Sequence, residues 1–196
     1  GGFLGVDVFF VISGYLITAL LVSEFARRGF IDVTAFWLRR ARRLLPAVAV
    51  LIGVVMLVAL FVTPGDVASL RGDAIFSLIY VNNWQQILTD QSYVEVFGRP
   101  SLFRHLWSLS VEEQFYIVWP IAMLLLVKLF PRVEPTTGAR LRMAGATMAL
   151  AVVSMILMIV LYKPGIDPSR VYYGTDTRAL ELFVGAALAM VWPSRR

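Results

Sequence analysis

HLWSLSVEEQFYIVWPIAMLLLVKL, His105 to Leu129, carries from Ser110 onward a run the length of a membrane span, with two adjacent glutamates at its mouth. A bilayer core is crossed by about 20 predominantly apolar helical residues. Phe3 to Val22 and Met143 to Leu161 are of the same length, and Ala47 to Val62 becomes so once Leu44 and Leu45 are included. Ala179 to Trp192 is short, and Ala74 to Leu88 is interrupted by Asn82, Asn83, Gln85 and Gln86. The pattern predicts an all-α, polytopic transmembrane helix bundle of about five full spans plus one short or re-entrant segment.

Composition agrees. The 196 residues are 59% hydrophobic and 16% charged, against roughly 25% charged in an average soluble domain. The net charge of +5 is carried mostly by arginine, with Arg27, Arg28, Arg39, Arg40, Arg42 and Arg43 close together. Such clustering in a membrane protein speaks for orientation before nucleic acid, because cytoplasmic loops concentrate Lys and Arg. The absence of cysteine excludes disulfides, thiolate metal sites and a cysteine nucleophile. No phosphate loop, zinc signature or nucleophile elbow is present, and no metal site is expected.

Placing Ser23 to Pro46 in the cytoplasm puts Gly1 outside. If Ala74 to Leu88 does not cross, Arg132, Arg140, Arg142, Arg195 and Arg196 also fall inside, which favours a re-entrant or interfacial segment there. His105 to Glu113 and Tyr172 to Arg178 then approach the outer face, opposite the arginine-rich segment.

Four stretches carry candidate chemistry. In GGFLGVDVFFVISGYLI, Asp7 is a carboxylate in an apolar helix, costly enough to be a functional candidate unless it lies at the hydrated interface. In FWLRRARRLLP, Arg39, Arg42 and Arg43 share a helical face flanked by Arg40, which suits either bidentate phosphate binding or a membrane anchor, with Pro46 in the first turn of the next span. In the opening stretch, a helix running back through His105 would align His105, Ser108 and Glu112 on one stripe, a spacing that suits a base and its orienting carboxylate. Ser110 to Glu113 also reads as a capping box, in which Glu113 serves only the helix end. In YYGTDTRALELFVGAALA, Thr175 is a candidate N-cap, Arg178 pairs with Glu181 or with an anion from elsewhere, and Gly185 with Ala189 forms a close-packing face.

GVDVFFVISGYLI, RRARRLLP, HLWSLSVEEQFYIVWP and YYGTDTRALELFVGAAL, in this order, together resemble the acyltransferase-3 family of bacterial membrane O-acyltransferases. The resemblance implies transfer of an acyl group, commonly acetyl, from acyl-CoA to a hydroxyl of a saccharide or lipid-linked glycan, at a multi-pass protein of the bacterial cytoplasmic (inner) membrane. It implies that Arg39, Arg40, Arg42 and Arg43 hold the phosphates of the acyl-CoA donor, a substrate rather than a resident cofactor. Glu112 and Glu113 match a motif that shapes or polarises the acceptor site, and His105 matches the histidine ahead of WSL. Glu112, Glu113, His105 and Asp7 are thus the candidate catalytic residues, and Tyr173, Thr175 and Arg178 the candidate substrate-binding ones.

The family's proposed catalytic histidine belongs to a helix that would lie upstream of Gly1, so this sequence reads as a partial acyltransferase-3 domain over residues 1–196. The partners implied are the acyl-CoA donor, the glycan acceptor and the lipid bilayer, with no nucleic acid. A transporter or flippase component and a non-catalytic remnant of such an enzyme are the alternative readings.

Overall fold

The computed structural model describes residues 2–89, 101–129 and 137–192; Arg132, Arg195 and Arg196, used above for orientation, lie outside them. The described residues form α1 (Gly2–Arg28), α2 (Val33–Val62), a 3-10 turn (Pro64–Asp66), α3 (Val67–Leu78), α4 (Asn82–Leu88), α5 (Leu106–Leu129), α6 (Thr137–Leu161), α7 (Ser169–Tyr173) and α8 (Thr175–Val191). They contain no strand. Helices α1, α2, α5 and α6 are long and apolar enough to cross a membrane. The 17 residues of α8 make a shorter fifth segment. The protein is an all-α, multi-pass membrane protein.

Two boundaries differ from the sequence reading. Helix α1 continues through Arg28 and stops at Gly29, whose φ of +74° gives the left-handed turn that a Cβ disfavours. Its N–H closes the helix on the Phe25 carbonyl at 2.8 Å. Helix α2 then starts at Val33, so Arg39 to Arg43, expected on a helical face, belong to the same helix as the apolar run Ala47 to Val62. Pro46 accordingly lies inside α2 and not in its first turn. A proline there donates no hydrogen bond to the Arg42 carbonyl one turn earlier, which favours a bend at that point.

The chain forms two compact units. The first comprises residues 1–33, 115–161 and 176–196. Its interior holds large apolar side chains such as Phe10, Ile17 and Leu21 together with small and polar residues at the helix contacts, the kind of residue that lets membrane helices approach closely. Gly14 abuts the Leu182 backbone, and Gly185 abuts the backbone of Val11 and Tyr15. Ser13 hydrogen-bonds the Tyr116 hydroxyl, Trp119 Nε1 donates to Thr18 Oγ1 at 2.8 Å, and Ser154 Oγ donates to the Thr177 carbonyl at 3.1 Å. Phe115, Trp119 and Phe183 form an aromatic cluster with ring centroids 5.2 to 5.8 Å apart.

These contacts fix directions within the first unit. Asp7 meets Arg178 and Tyr15 meets Trp192, while Ser13 meets Tyr116 and Thr18 meets Trp119. Helix α1 is therefore parallel to α8 and to the C-terminal part of α5. An odd number of crossings must separate two parallel spans. Among the described residues α2 is the one helix between α1 and α5 that is long enough to cross. Helices α3 and α4 thus add no net crossing, as the re-entrant reading expects.

The second unit comprises residues 34–114 and 162–175. Ala59 of α2 packs with Leu70 and Ala74 of α3 and with Phe103, and Ile52, Val55 and Met56 add to this cluster. The apolar run Ala74 to Leu88 is not one helix here. It breaks at Tyr80, a non-glycine residue with a φ of +56°.

Candidate functional site

The break at Tyr80 is a Schellman turn. Val81 N–H reaches back to the Phe76 carbonyl at 2.9 Å and Tyr80 N–H to the Ser77 carbonyl at 3.2 Å, which satisfies the end of α3. Glycine is the usual residue at such a position, and a side chain there costs about 1–2 kcal/mol. Beyond the turn, the amides that interrupt the apolar run are buried: Asn82, Asn83 and Gln86 all point into the second unit. Asn82 Nδ2 donates to Ser77 Oγ at 3.0 Å, and Gln86 Nε2 donates to Asn82 Oδ1 at 3.1 Å.

Gln114, on the third turn of α5, is the centre of this network. Its Nε2 donates to the Tyr80 carbonyl at 2.7 Å and to Asn83 Oδ1 at 2.9 Å. Its Oε1 accepts from Trp84 Nε1 at 3.2 Å and from Thr175 Oγ1 at 2.5 Å. Asn83 Nδ2 in turn donates to Thr175 Oγ1 at 2.9 Å and to the Tyr173 carbonyl at 3.0 Å. Every polar atom of the Gln114 amide is used, which fixes both the left-handed turn and the start of α8 against α5. Thr175→Val is expected to cost about 1 kcal/mol, because Gln114 and Asn83 each keep another partner; thermal unfolding in detergent measures it.

Next to Gln114 stand Glu112 and Glu113, both buried with 8% exposure. Helix α5 begins at Leu106, so Ser110 is inside the helix and its hydroxyl donates to the Leu106 carbonyl at 3.0 Å. The capping-box reading of Ser110 and Glu113 is therefore incorrect, since no helix end is there to cap. Glu113 Oε1 is buried with no hydrogen-bond partner among the described residues, and so is the Tyr80 hydroxyl. Burial pushes the Tyr80 phenol above its ordinary value, and the Glu113 charge adds to that push, so the hydroxyl stays protonated and able to donate through the neutral range.

The four arginines divide. Arg39, Arg42 and Arg43 are exposed on α2, whereas Arg40 is half-buried with its guanidinium over the Phe36 ring at 5.8 Å. The Arg40 charge acts on Glu113. Each of these two residues lies seven positions into its helix, about 10 Å along at the usual rise.

The other expected site residues take separate places. His105 is exposed just before α5 while Glu112 is buried, so the predicted stripe does not become a histidine–carboxylate pair; the His105 carbonyl accepts from Ser108 Oγ at 3.3 Å. Tyr173 is fully buried with its ring 5.3 Å from Trp107. The Thr175 hydroxyl serves Gln114 and Asn83. In the first unit, Arg178 donates to Asp7 at 3.0 Å and to Glu181 at 3.2 Å, so the interhelical and intrahelical pairs coexist. Sequence reading misses Tyr80, Gln114 and the part that Asn83 plays; the signal for Asn83 is the NNWQQ interruption of an apolar run.

A family model described as an acyltransferase domain matches residues 1–196. OatA of Listeria monocytogenes, named a peptidoglycan O-acetyltransferase, is 47% identical over all of this chain and 30% of its own length. YrhL of Bacillus subtilis, provisionally named a peptidoglycan O-acetyltransferase, is 49% identical with the same coverage. A provisionally named O-acetyltransferase of Staphylococcus aureus is 44% identical over 98% of this chain and 31% of its own. The chain thus spans about a third of the length of these relatives. No solved structure matches it.

Proposed function

Because the chain belongs to the acyltransferase-3 family, we propose that it forms part of an enzyme that moves an acetyl group from acetyl-CoA to a hydroxyl of a cell-envelope glycan, peptidoglycan first among them. The buried pair Glu112 and Glu113 with the Arg40 charge beside it is the observation that carries this reading. Ionisable groups inside membrane helices are costly and mark working sites. The orientation deduced from the arginines and the relatives' names support a place in the bacterial cytoplasmic membrane.

In the reaction, the acceptor oxygen attacks the thioester carbonyl, the C–S bond breaks, and the hydroxyl proton leaves to give an O-ester and CoA thiol. A sugar hydroxyl is a weak nucleophile at neutral pH. A carboxylate held at Glu113 accepts its hydrogen bond, raises electron density on the oxygen and orients it. Arg40 offsets charge in that site, while the exposed guanidiniums of Arg39, Arg42 and Arg43 suit the CoA phosphates.

Membranes carrying the full-length protein, given labelled acetyl-CoA and a panel of glycan acceptors, are the test. Alkali-labile label is expected on an acceptor. Arg39→Ala with Arg42→Ala is expected to raise the acetyl-CoA KM about tenfold with little change in kcat, the pattern of lost ground-state binding. Absence of label on every acceptor refutes the transferase reading, and an unchanged KM refutes the role of these arginines.

A further inference from the structure

We propose that Tyr80 binds the acceptor: its phenolic O–H donates to one oxygen of a saccharide while a neighbouring hydroxyl of the same molecule donates to the Glu113 carboxylate. This rests on the acyltransferase reading and adds to it a residue outside the motifs that define the family resemblance. Two buried oxygens carry the inference, Tyr80 Oη and Glu113 Oε1, each without a hydrogen-bond partner among the described residues. One is a donor and the other an acceptor, and the Glu113 charge is felt at the phenol, yet they do not bond each other. Gln114 ties the Tyr80 backbone to α5 one residue after Glu113, so an unsatisfied donor and an unsatisfied acceptor stand on joined segments, which matches a ligand that presents two adjacent oxygens, as a sugar does.

The backbone supports the same reading. Tyr80 is the one non-glycine residue with positive φ among the described residues, at the position of a Schellman turn where glycine is usual. Retaining a large side chain there has an energetic cost, and such strain persists where surrounding structure enforces it. Gln114 does so by holding the Tyr80 carbonyl at 2.7 Å, and Gln114 is the neighbour of Glu113 in sequence. One side chain therefore joins the turn that carries the phenol to the helix that carries the carboxylate.

Tyr80→Phe removes only the oxygen, and Tyr80→Gly removes the ring while relieving the turn. In the full-length protein in membranes, both are expected to lower kcat/KM for a glycan acceptor about tenfold, the value of one hydrogen bond, with the acetyl-CoA KM unchanged. Since the hydroxyl has no hydrogen-bond partner among the described residues, Tyr80→Phe is also expected not to lower the unfolding temperature. Wild-type acceptor kinetics in Tyr80→Phe would overturn the proposal and leave the pair to bind water alone. A lowered unfolding temperature with equal losses toward donor and acceptor would overturn it in favour of a structural tyrosine. Failure of the wild-type protein to transfer any label would instead remove the acyltransferase reading itself, so the two failures are told apart by the wild-type control.

Discussion

Glu113→Gln is expected to lower glycan acylation about 100-fold while leaving the protein folded. Glutamine keeps the shape and the capacity to hydrogen-bond, so a residue that merely fills space would tolerate the change. It removes the negative charge that strengthens the hydrogen bond to the attacking hydroxyl, and charge-assisted bonds of this kind contribute about 1.5–3 kcal/mol. One feature singles out Glu113 from its neighbour: its Oε1 is buried without a hydrogen-bond partner among the described residues. Initial rates at saturating acetyl-CoA, taken in parallel for Glu112→Gln and Glu113→Gln, check the point. The larger loss is expected at Glu113 and in kcat/KM for the acceptor. Equal losses at the two positions, or a loss confined to the donor KM, would show that Glu113 does not face the acceptor.

Gly185→Val is expected to abolish the folded first unit. A Cβ at Gly185 would fall on the Val11 carbonyl and 2.8 Å from the Tyr15 nitrogen, both backbone atoms of α1. Overpacking usually costs about 1–3 kcal/mol because side chains can shift, but a helix backbone cannot rotate away, so a cost above that range is expected. A Cβ at Gly14 meets the Leu182 backbone in the same way, and Gly14→Val is expected to behave alike. Gly53 and Gly145 are the controls, since nothing lies within 4 Å of a Cβ added there. Alanine at either is expected to leave stability equal or raise it by up to about 1 kcal/mol through helix propensity. Size-exclusion profiles and unfolding temperatures in mild detergent distinguish the two pairs, and a monodisperse Gly185→Val protein would contradict the packing described.

Much of the fold is legible in the sequence because lipid imposes one rule: apolar runs long enough to cross become helices. That rule yields α1, α2, α5 and α6 directly. It misplaces their ends, because a hydropathy window stops at charge whereas a helix does not. The arginines of α2 and the residues from Leu106 to Leu109 fall outside the apolar runs yet inside the helices. The capping-box error at Ser110 has the same origin. The candidate site is legible in part. Adjacent glutamates at a span's mouth stand out, as do arginine clusters and Asp7, because each violates the apolar rule. Tyr80, Asn83 and Gln114 do not stand out, since their roles come from a turn and from neighbours that are distant in sequence. The separations of 31 positions from Asn83 to Gln114 and of 61 from Gln114 to Thr175 are bridged only by the fold.

The parallel pairing of α1 with α8 also bears on how the protein is made. Asp7 and Arg178 are 171 positions apart, so α1 enters the bilayer well before its partner has been synthesised. At ribosomal rates that interval is on the order of 10 to 30 s. For that time α1 presents a carboxylate without its guanidinium and a glycine notch without the backbone that fills it. The first unit cannot close before residues 176–191 exist, because they belong to it. A nascent chain halted before Thr175 would hold an incomplete α1 in the membrane and be open to chaperones and membrane proteases. Translation through α8 is thus the event that commits the first unit to its native state.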